Sequence, residues 1–225
     1  MSLPTAFTTK SGLAHQQIKQ MILSGEVKPG DRIKMAELSR KLGISETPIR
    51  EAILALTAEG WLDMTTHVGA VVRTINVEQV HEISSIRGLI SGLALELNGP
   101  RFDAALLQKL RENVETMDAA VQRGDLQGFA TFNDEFHRLI YRDHVSPWCA
   151  RIIEGMLGLL SHQRHGIAPN VERLQESVRE HRKMLEYLCE GDFRAAADMA
   201  KLHERNAGLF LIRELKKTKS KASDA

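Results

Sequence analysis

Three histidines in the second half of the chain could together bind a metal ion. His137, His181 and His203 each fall on the apolar side of a different predicted helix, where a buried ring needs a polar partner. Neutral imidazole is a common ligand of zinc, nickel and similar ions. Asn133 lies one helical turn before His137 and can point at the same ion. From the pattern alone, a metal centre and a buried polar cluster without metal both remain open.

A metal held by three histidines has open coordination positions and could activate water, as in a metal-dependent hydrolase. Such an enzyme also needs a general base beside the metal. Glu180 and Glu204 each stand next to one of these histidines in sequence, so we expect them to point to other sides of their helices. We therefore predict that the chain is not an enzyme. A hydrolase-like helical domain and a purely structural metal are the alternatives.

The first part of the chain carries polar residues where a DNA-reading helix needs them. Residues 43–45, Gly-Ile-Ser, separate two short predicted helices, and so short a turn makes them cross steeply, as in a helix-turn-helix motif. The side chains that suit phosphate and base-edge contacts at the start of the second helix are Ser45, Glu46, Thr47 and Arg50. A hairpin turn through His67 and Gly69 could approach a minor groove. A small helical module for protein contacts is the alternative.

Apolar spacing and turn residues predict a mainly α chain. Up to residue 75 the predicted elements are helices at 11–24, 35–42 and 46–59 and hairpin strands at 61–65 and 70–74. Later helices are predicted at 77–97, 102–122, 126–143, 147–163, 171–190 and 192–213. We predict a winged helix-turn-helix domain over residues 1–75, an antiparallel all-α helical bundle over 76–214, and a disordered basic tail over 215–225.

Composition sets limits on the function. The chain has 225 residues, of which 43% are hydrophobic and 26% charged, and its formal net charge is +1. Because this charge is small, DNA binding has to come from local placement of cations. No apolar run approaches the roughly 18 residues of a membrane span, so we expect no membrane partner. The two cysteines form no disulfide framework, which favours a reducing cytoplasm.

The segment from residue 25 to 72, GEVKPGDRIKMAELSRKLGISETPIREAILALTAEGWLDMTTHVGAVV, resembles the GntR family of bacterial transcription regulators. The resemblance includes Pro29-Gly30, Ser45-x-Thr47-Pro48, Arg50-Glu51-Ala52 and Glu59-Gly60. It implies a homodimer that binds a palindromic operator on double-stranded DNA, with repression as the usual outcome. Glu46 departs from the family, which usually has an arginine there. Glu46 could accept a hydrogen bond from cytosine N4, or it could simply be tolerated at a helix N-terminus. We therefore expect an operator that differs from the common family consensus.

Residues 77–213 resemble the FCD domain, the all-helical effector domain of the FadR subfamily, through Phe136-His137, Glu180-His181, Gly191-Asp192 and His203. The resemblance implies a divalent metal, zinc or nickel, held by one aspartate and three histidines. The aspartate position falls on Asn133. The implied ligands are therefore Asn133, His137, His181 and His203, with Asp134 as the alternative to Asn133.

The same resemblance implies an effector, a small organic carboxylate bound at or near the metal and clamped by an arginine. Arg87 matches an arginine of the family, and Arg164 and Asn206 are further candidates for effector binding. The sequence as a whole predicts a ligand-responsive bacterial transcription regulator, a repressor that is released from or altered on its operator by this acid.

Overall fold

A computed structural model describes residues 9–141, 146–161 and 170–223 of the chain. Two compact units can be distinguished, one formed chiefly by residues up to Ile75 and the other chiefly by residues from Asn76 onward. Helices dominate both, and the one sheet in the described residues has two strands. The predicted mainly α fold is therefore confirmed. None of the helices in the described segments has the length and apolar character needed to cross a membrane.

The first unit consists of three helices and a hairpin: α1 (Lys10–Leu23), α2 (Met35–Leu42), α3 (Glu46–Ala58), β1 (Leu62–Thr65) and β2 (Gly69–Val72). Their apolar faces share one core, whose fully buried members include Ile18, Ile49, Leu56 and Trp61. The bounds agree with the predicted ones within one or two residues, because regular apolar spacing marks each helix and glycines mark the turns.

The turn between α2 and α3 is fixed by a left-handed glycine and by a hydrogen bond from a serine side chain. Gly43 ends α2 in the left-handed conformation, with φ +65°, which glycine adopts without steric cost. The Ser39 hydroxyl donates to the carbonyl of Ile44 at 2.8 Å. Ser45 stands at the N-cap of α3, but its side chain makes no capping hydrogen bond. The exposed Ser45 hydroxyl is therefore available at the start of α3.

The hairpin is short and tightly turned. β1 and β2 pair antiparallel, with Leu62 opposite Val72 and Thr65 opposite Gly69. His67 and Gly69 have φ of +65° and +95°, and His67 is the one non-glycine residue with positive φ in the described part of the chain. A left-handed histidine is uncommon, and this one stands exposed at the tip of the hairpin.

The second unit contains six helices in the described residues: α4 (Val77–Asn98), α5 (Ala104–Gln122), α6 (Leu126–Ile140), α7 (Pro147–Ser161), α8 (Val171–Glu190) and α9 (Phe193–Ser223). Asn76 and Gln79 form a capping box at the start of α4, and Asp103 caps α5 by accepting from the Leu106 amide at 2.7 Å. That cap explains why α5 begins two residues after its predicted start.

The end of α9 corrects a prediction. We expected the helix to stop at residue 213 and residues 215–225 to form a disordered basic tail, yet α9 continues to Ser223. Leu211 is buried and Leu215 is half-buried, so the apolar face persists beyond the predicted end. Lys217 pairs with Glu214 at 2.7 Å, one turn apart. Leucine, lysine and glutamate are all good helix formers, which is why nothing stops the helix earlier.

Helices α4 and α9 pack antiparallel and very closely. Gly92 lies against Ala197 and Lys201, whereas Gly208, later in α9, lies against Ser84, earlier in α4. The Ser84 hydroxyl donates to the carbonyl of Val80 at 2.7 Å within its own helix. Small residues along this line allow the two backbones to approach, and the approach fixes the position of α9 beside α4.

Gly208→Ala is expected to destabilise the chain by about 1–3 kcal/mol, the usual cost of overpacking a tight core. An added Cβ would lie 2.6 Å from the Ser84 Cβ, so the helices would have to separate. Urea unfolding followed by circular dichroism measures the change. The control is the double variant Gly208→Ala/Ser84→Gly, which removes the clash and should recover much of the loss. A single variant as stable as the wild type would contradict the close packing.

Candidate functional site

The three predicted histidines come together in the second unit. His137 on α6, His181 on α8 and His203 on α9 are all buried, and one ligand nitrogen from each lies within 4.8 Å of the others. Their ring centroids are 5.2 Å (His137 to His181), 5.3 Å (His137 to His203) and 4.5 Å (His181 to His203) apart. Three helices thus bring three imidazoles to one point.

Aromatic side chains of α6 and its C-terminus hold the cluster in place. The Phe136 ring lies 4.3 Å from the ring of His181, and Tyr141 stacks on His137 at 5.7 Å. Phe136 is fully buried. These contacts restrict ring rotation, so the imidazoles are already arranged around a common centre.

His181 is the member of the cluster whose surroundings best fit a bound ion. Both of its ring nitrogens are buried, and neither has a hydrogen-bond partner among the described residues. Burial lowers the pKa of His181 well below its usual range, and the charges of His203, His137 and Arg173 lower it further. The ring is therefore neutral, with a lone pair available. Because orphaned buried polar atoms are rare and costly, the residues present fit a divalent metal at this point.

Glu180 orients His203. Its Oε2 lies 2.6 Å from His203 Nδ1, and its Oε1 accepts from the Asn206 amide at 2.7 Å. Burial alone would raise the pKa of Glu180, but hydrogen bonds and charge from His203, together with Asn206 and Arg173, outweigh burial and lower it. An ionised Glu180 favours the His203 tautomer with the proton on Nδ1. That leaves Nε2 as the ligand atom, in the carboxylate–histidine–metal arrangement known from metal sites.

The prediction that Glu180 points away from the histidines was therefore wrong. Glu180 lies on the side of α8 that faces α9, and its long side chain reaches across to His203 one helix away. Neighbouring residues of one helix, such as Glu180 and His181, do point to different sides, but His203 belongs to another helix. Glu180 is nevertheless a poor general base, because its oxygens are already engaged by His203, Asn206 and Arg173.

The remaining predicted ligand is Asn133. It lies one turn before His137 on α6 and is half-buried, whereas its alternative, Asp134, is exposed. An exposed carboxylate would have to leave water to reach a buried ion. The burial of the two residues thus favours Asn133 over Asp134 as the oxygen donor of α6.

Of the predicted effector-binding residues, Arg87 has a partner that the sequence did not suggest. It is buried on α4, and its Nη2 donates to Glu204 Oε1 on α9 at 2.8 Å. Burial raises the pKa of the nearby Tyr141, and the charge of Glu204 raises it further, so the phenol stays neutral. Asn206 donates to Glu180, as described above. Arg164 lies outside the described residues.

The predicted DNA-binding residues lie together at the surface of the first unit. Ser45, Glu46, Thr47 and Arg50 are all exposed at the N-terminal end of α3. Arg50 forms no ion pair with any residue in the described ranges, so its guanidinium is available for a ligand. His67 is exposed at the hairpin tip, and Gly69 is half-buried beside it. These two parts of the unit match the helix and wing of a winged helix-turn-helix.

Two charged residues of the histidine site were missed by sequence reasoning. Glu180 was predicted to point away from the histidines. Arg173 was not predicted at all, although it lies about two turns before His181 on α8. Arg173 is 8% exposed and donates from Nη2 to Glu180 Oε2 at 3.1 Å. Its periodicity with Ser177 and His181, both buried as well, could have marked it as an inward residue.

Comparison with known proteins identifies the two parts. Residues 11–72 match the family described as "Bacterial regulatory proteins, gntR family", and residues 82–206 match the FCD domain. The chain belongs to the GntR family. This regulator carries an FCD domain as its larger part, so both predicted resemblances are confirmed.

The relatives of this regulator are named as transcription regulators, and the similarity covers most of their length. The regulator is 28% identical to the uncharacterized HTH-type transcriptional regulator YdhC of Bacillus subtilis, over 84% of this chain and 85% of YdhC. It is 27% identical to the HTH-type transcriptional regulator McbR of Escherichia coli, over 75% of this chain and 77% of McbR. A third relative, 28% identical over 82% of this chain and 81% of its own length, is the probable D-xylose utilization operon transcriptional repressor of Paenarthrobacter nicotinovorans.

Solved structures share the fold. E. coli McbR/YncC superposes with a TM-score of 0.77 at 23% identity, covering 92% of this chain and 99% of that one. A GntR regulator of Rhodococcus sp. RHA1 superposes with a TM-score of 0.74 at 17% identity, covering 90% and 97%. The matched families and the named relatives are transcription regulators. The prediction that this chain is a regulator and not an enzyme is therefore confirmed.

Proposed function

We propose that this transcription regulator is a repressor that binds a palindromic operator as a homodimer and responds to a small organic carboxylate. The acid would bind at or near a divalent metal, zinc or nickel, held by Asn133, His137, His181 and His203. The observation that supports the metal is that both ring nitrogens of His181 are buried and have no hydrogen-bond partner among the described residues. The effector domain would span residues 76–214 and the DNA-binding domain residues 1–75, working in the cytoplasm.

The DNA-binding half of the proposal rests on α3 and the hairpin. Ser45, Thr47 and Arg50 offer donors to phosphates and base edges, and the hairpin tip at His67 and Gly69 would approach the minor groove. Glu46 cannot bind phosphate, but its carboxylate can accept from cytosine N4. The operator should therefore differ from that of relatives with an arginine at this position.

A homodimer fits both the operator and the surface of α4. A palindromic site presents two equal half-sites, which a two-fold dimer matches. Leu89, Leu93 and Leu97 project from α4 with exposed fractions of 63%, 44% and 44%, and a second copy of this chain could cover them. Repression is supported by the relative named as a probable D-xylose utilization operon transcriptional repressor.

Arg50→Ala is expected to weaken operator binding by at least about tenfold, since a specific arginine contact to a base is worth about 1–3 kcal/mol. The operator is first selected from random duplexes with the purified protein, and affinity is then measured by fluorescence anisotropy. Arg123→Ala, which removes an exposed arginine beside α5, is the control and should bind as the wild type does. Equal binding by Arg50→Ala would contradict the assigned role of α3.

The response to ligand is tested on the same selected duplex. Zinc-loaded protein is titrated with DNA in the presence of small mono- and dicarboxylates, and again after the metal is removed with a chelator. We expect at least one acid to change the operator affinity, and we expect the change to require the metal. Operator binding that no carboxylate alters would refute the effector half of the proposal and leave a regulator with a structural metal.

A further inference from the structure

We infer that Arg173 is the carboxylate clamp of this regulator, the cation that binds the acid effector beside the histidine cluster. The inference rests on the proposed function, because it names the residue that would recognise the proposed ligand. The roles proposed for the metal ligands and for Glu180 stay unchanged. It assigns to α8 a role that the sequence had suggested for Arg87, Arg164 and Asn206.

The side chain of Arg173 extends toward the cluster. Arg173 precedes His181 by about 12 Å along the axis of α8 at 1.5 Å per residue. Its Nη2 nevertheless reaches Glu180 Oε2 at 3.1 Å, and the same oxygen lies 2.6 Å from His203 Nδ1. The guanidinium is therefore one carboxylate oxygen away from a candidate metal ligand. Its charge is also among those that lower the pKa of His181.

The hydrogen bonds of Arg173 leave a place for a ligand. Arginine is always charged and offers five N–H donors in a planar fork. Nη1 of Arg173 is buried and has no hydrogen bond among the residues that the structure describes. Its neighbouring carboxylate, Glu176, lies 3.6 Å away and is half-buried at the surface. A buried N–H group without an acceptor is costly, and a carboxylate oxygen is the natural acceptor.

Arg87 is less suited to this role. It also has one buried nitrogen, Nε, without a partner in the described residues, but its ion pair is with Glu204, which does not contact the histidines in any described hydrogen bond. Arg173 shares Glu180 with His203. A ligand that contacts Arg173 therefore acts on the network that holds the metal ligand, whereas one that contacts Arg87 acts on the junction of α4 and α9.

The charges of the network indicate the class of ligand. Arg173 is paired with Glu180 and with the half-buried Glu176, His181 is neutral, and Asn133 is a neutral donor. A divalent ion would therefore leave an excess of positive charge in a buried site. A small acid with one or two carboxylates compensates for that excess. One carboxylate would bind between the cluster and Nη1 of Arg173, which makes no hydrogen bond among the described residues.

The experiment uses full-length protein loaded with cobalt, whose visible absorption reports changes in the ligands around the ion. Acetate is the probe. Arg173→Lys keeps the charge that faces Glu180 but loses the planar fork, and Arg173→Gln removes the charge. We expect both variants to weaken acetate binding by at least about tenfold, as expected for loss of a charge-assisted hydrogen bond. Zinc affinity, measured by chelator competition, should stay within about threefold of the wild type, because the ligands remain.

Two further variants are controls. Arg179→Lys changes an exposed arginine on the same helix and should leave acetate binding unchanged. Arg87→Lys tests the competing arginine. The inference is overturned if Arg173→Lys binds acetate as tightly as the wild type, or if Arg87→Lys alone loses the acid. It is also overturned if both Arg173 variants lose zinc together with acetate, since Arg173 would then only position Glu180. If the cobalt-loaded wild type responds neither to acetate nor to any of the small mono- and dicarboxylates used in the operator titration, the proposed effector function itself is refuted.

Discussion

Replacing His181 with alanine is expected to weaken zinc binding by more than about a hundredfold. Loss of a residue that only supports a metal ligand costs about 10–100-fold, and His181 is proposed to touch the ion itself. Competition with a chromophoric chelator measures the affinity. His81→Ala is the matched control, because His81 is an exposed histidine of α4 and should not affect zinc. A variant that keeps wild-type zinc affinity would contradict the assignment of the cluster as a metal site.

Without metal, replacing His181 is expected not to harm the protein. His181→Leu removes two buried nitrogens that have no hydrogen-bond partner among the described residues, and it retains an apolar side chain beside Phe136. Because an orphaned buried polar group is destabilising, we expect the chelated variant to be at least as stable as the chelated wild type in urea. A large loss of stability without metal would indicate that His181 is a satisfied member of a polar core instead.

Glu204→Ala is expected to destabilise the protein by about 3–5 kcal/mol, because it leaves the buried Arg87 without a counter-charge. The two side chains are only 5% and 2% exposed, and their charged atoms are 2.8 Å apart. Urea unfolding measures the loss. Asp198→Ala is the control: it breaks an exposed pair with Lys201, and exposed pairs contribute little.

The double variant Arg87→Met/Glu204→Leu separates structure from binding. Removing both charges of a buried pair is often neutral or stabilising, so we expect it to recover most of the stability that Glu204→Ala loses. Equal destabilisation in the single and double variants would refute the ion pair as the cause. A stable double variant also shows whether Arg87 contributes to the response to acetate, because the fold then no longer depends on it.

Much of the fold could be predicted because its signals are local. The bounds of α8 match the prediction, since Asn170 caps its start and Gly191 ends it in a left-handed conformation. The hairpin was marked by turn residues around His67 and Gly69. The end of α9 was predicted wrongly because no local signal marks it. Lysines and serines suggested a tail, but residues 214–223 contain no glycine or proline that would stop the helix.

The candidate site was predictable only in part, because its partners are distant in sequence. His137, His181 and His203 were found from their places on apolar helix faces, a periodic signal. The pairing of Arg87 with Glu204 joins residues 117 positions apart, and no local pattern contains it. Glu180 and Arg173 were missed because charged residues on a polar helix resemble a solvated surface until the packing of α9 against α8 is known.

The burial of the three imidazoles has a kinetic consequence. His181 has no exposed surface, and His137 and His203 are 3% and 5% exposed, so an ion between them could enter or leave only when α6, α8 or α9 opens locally. Such openings are slow compared with diffusion. An ion held there would exchange slowly with the free metal of the cell. It would therefore act as a permanent component acquired near the time of folding, and the proposed acid, which no imidazole of the protein holds, would carry the short-term signal.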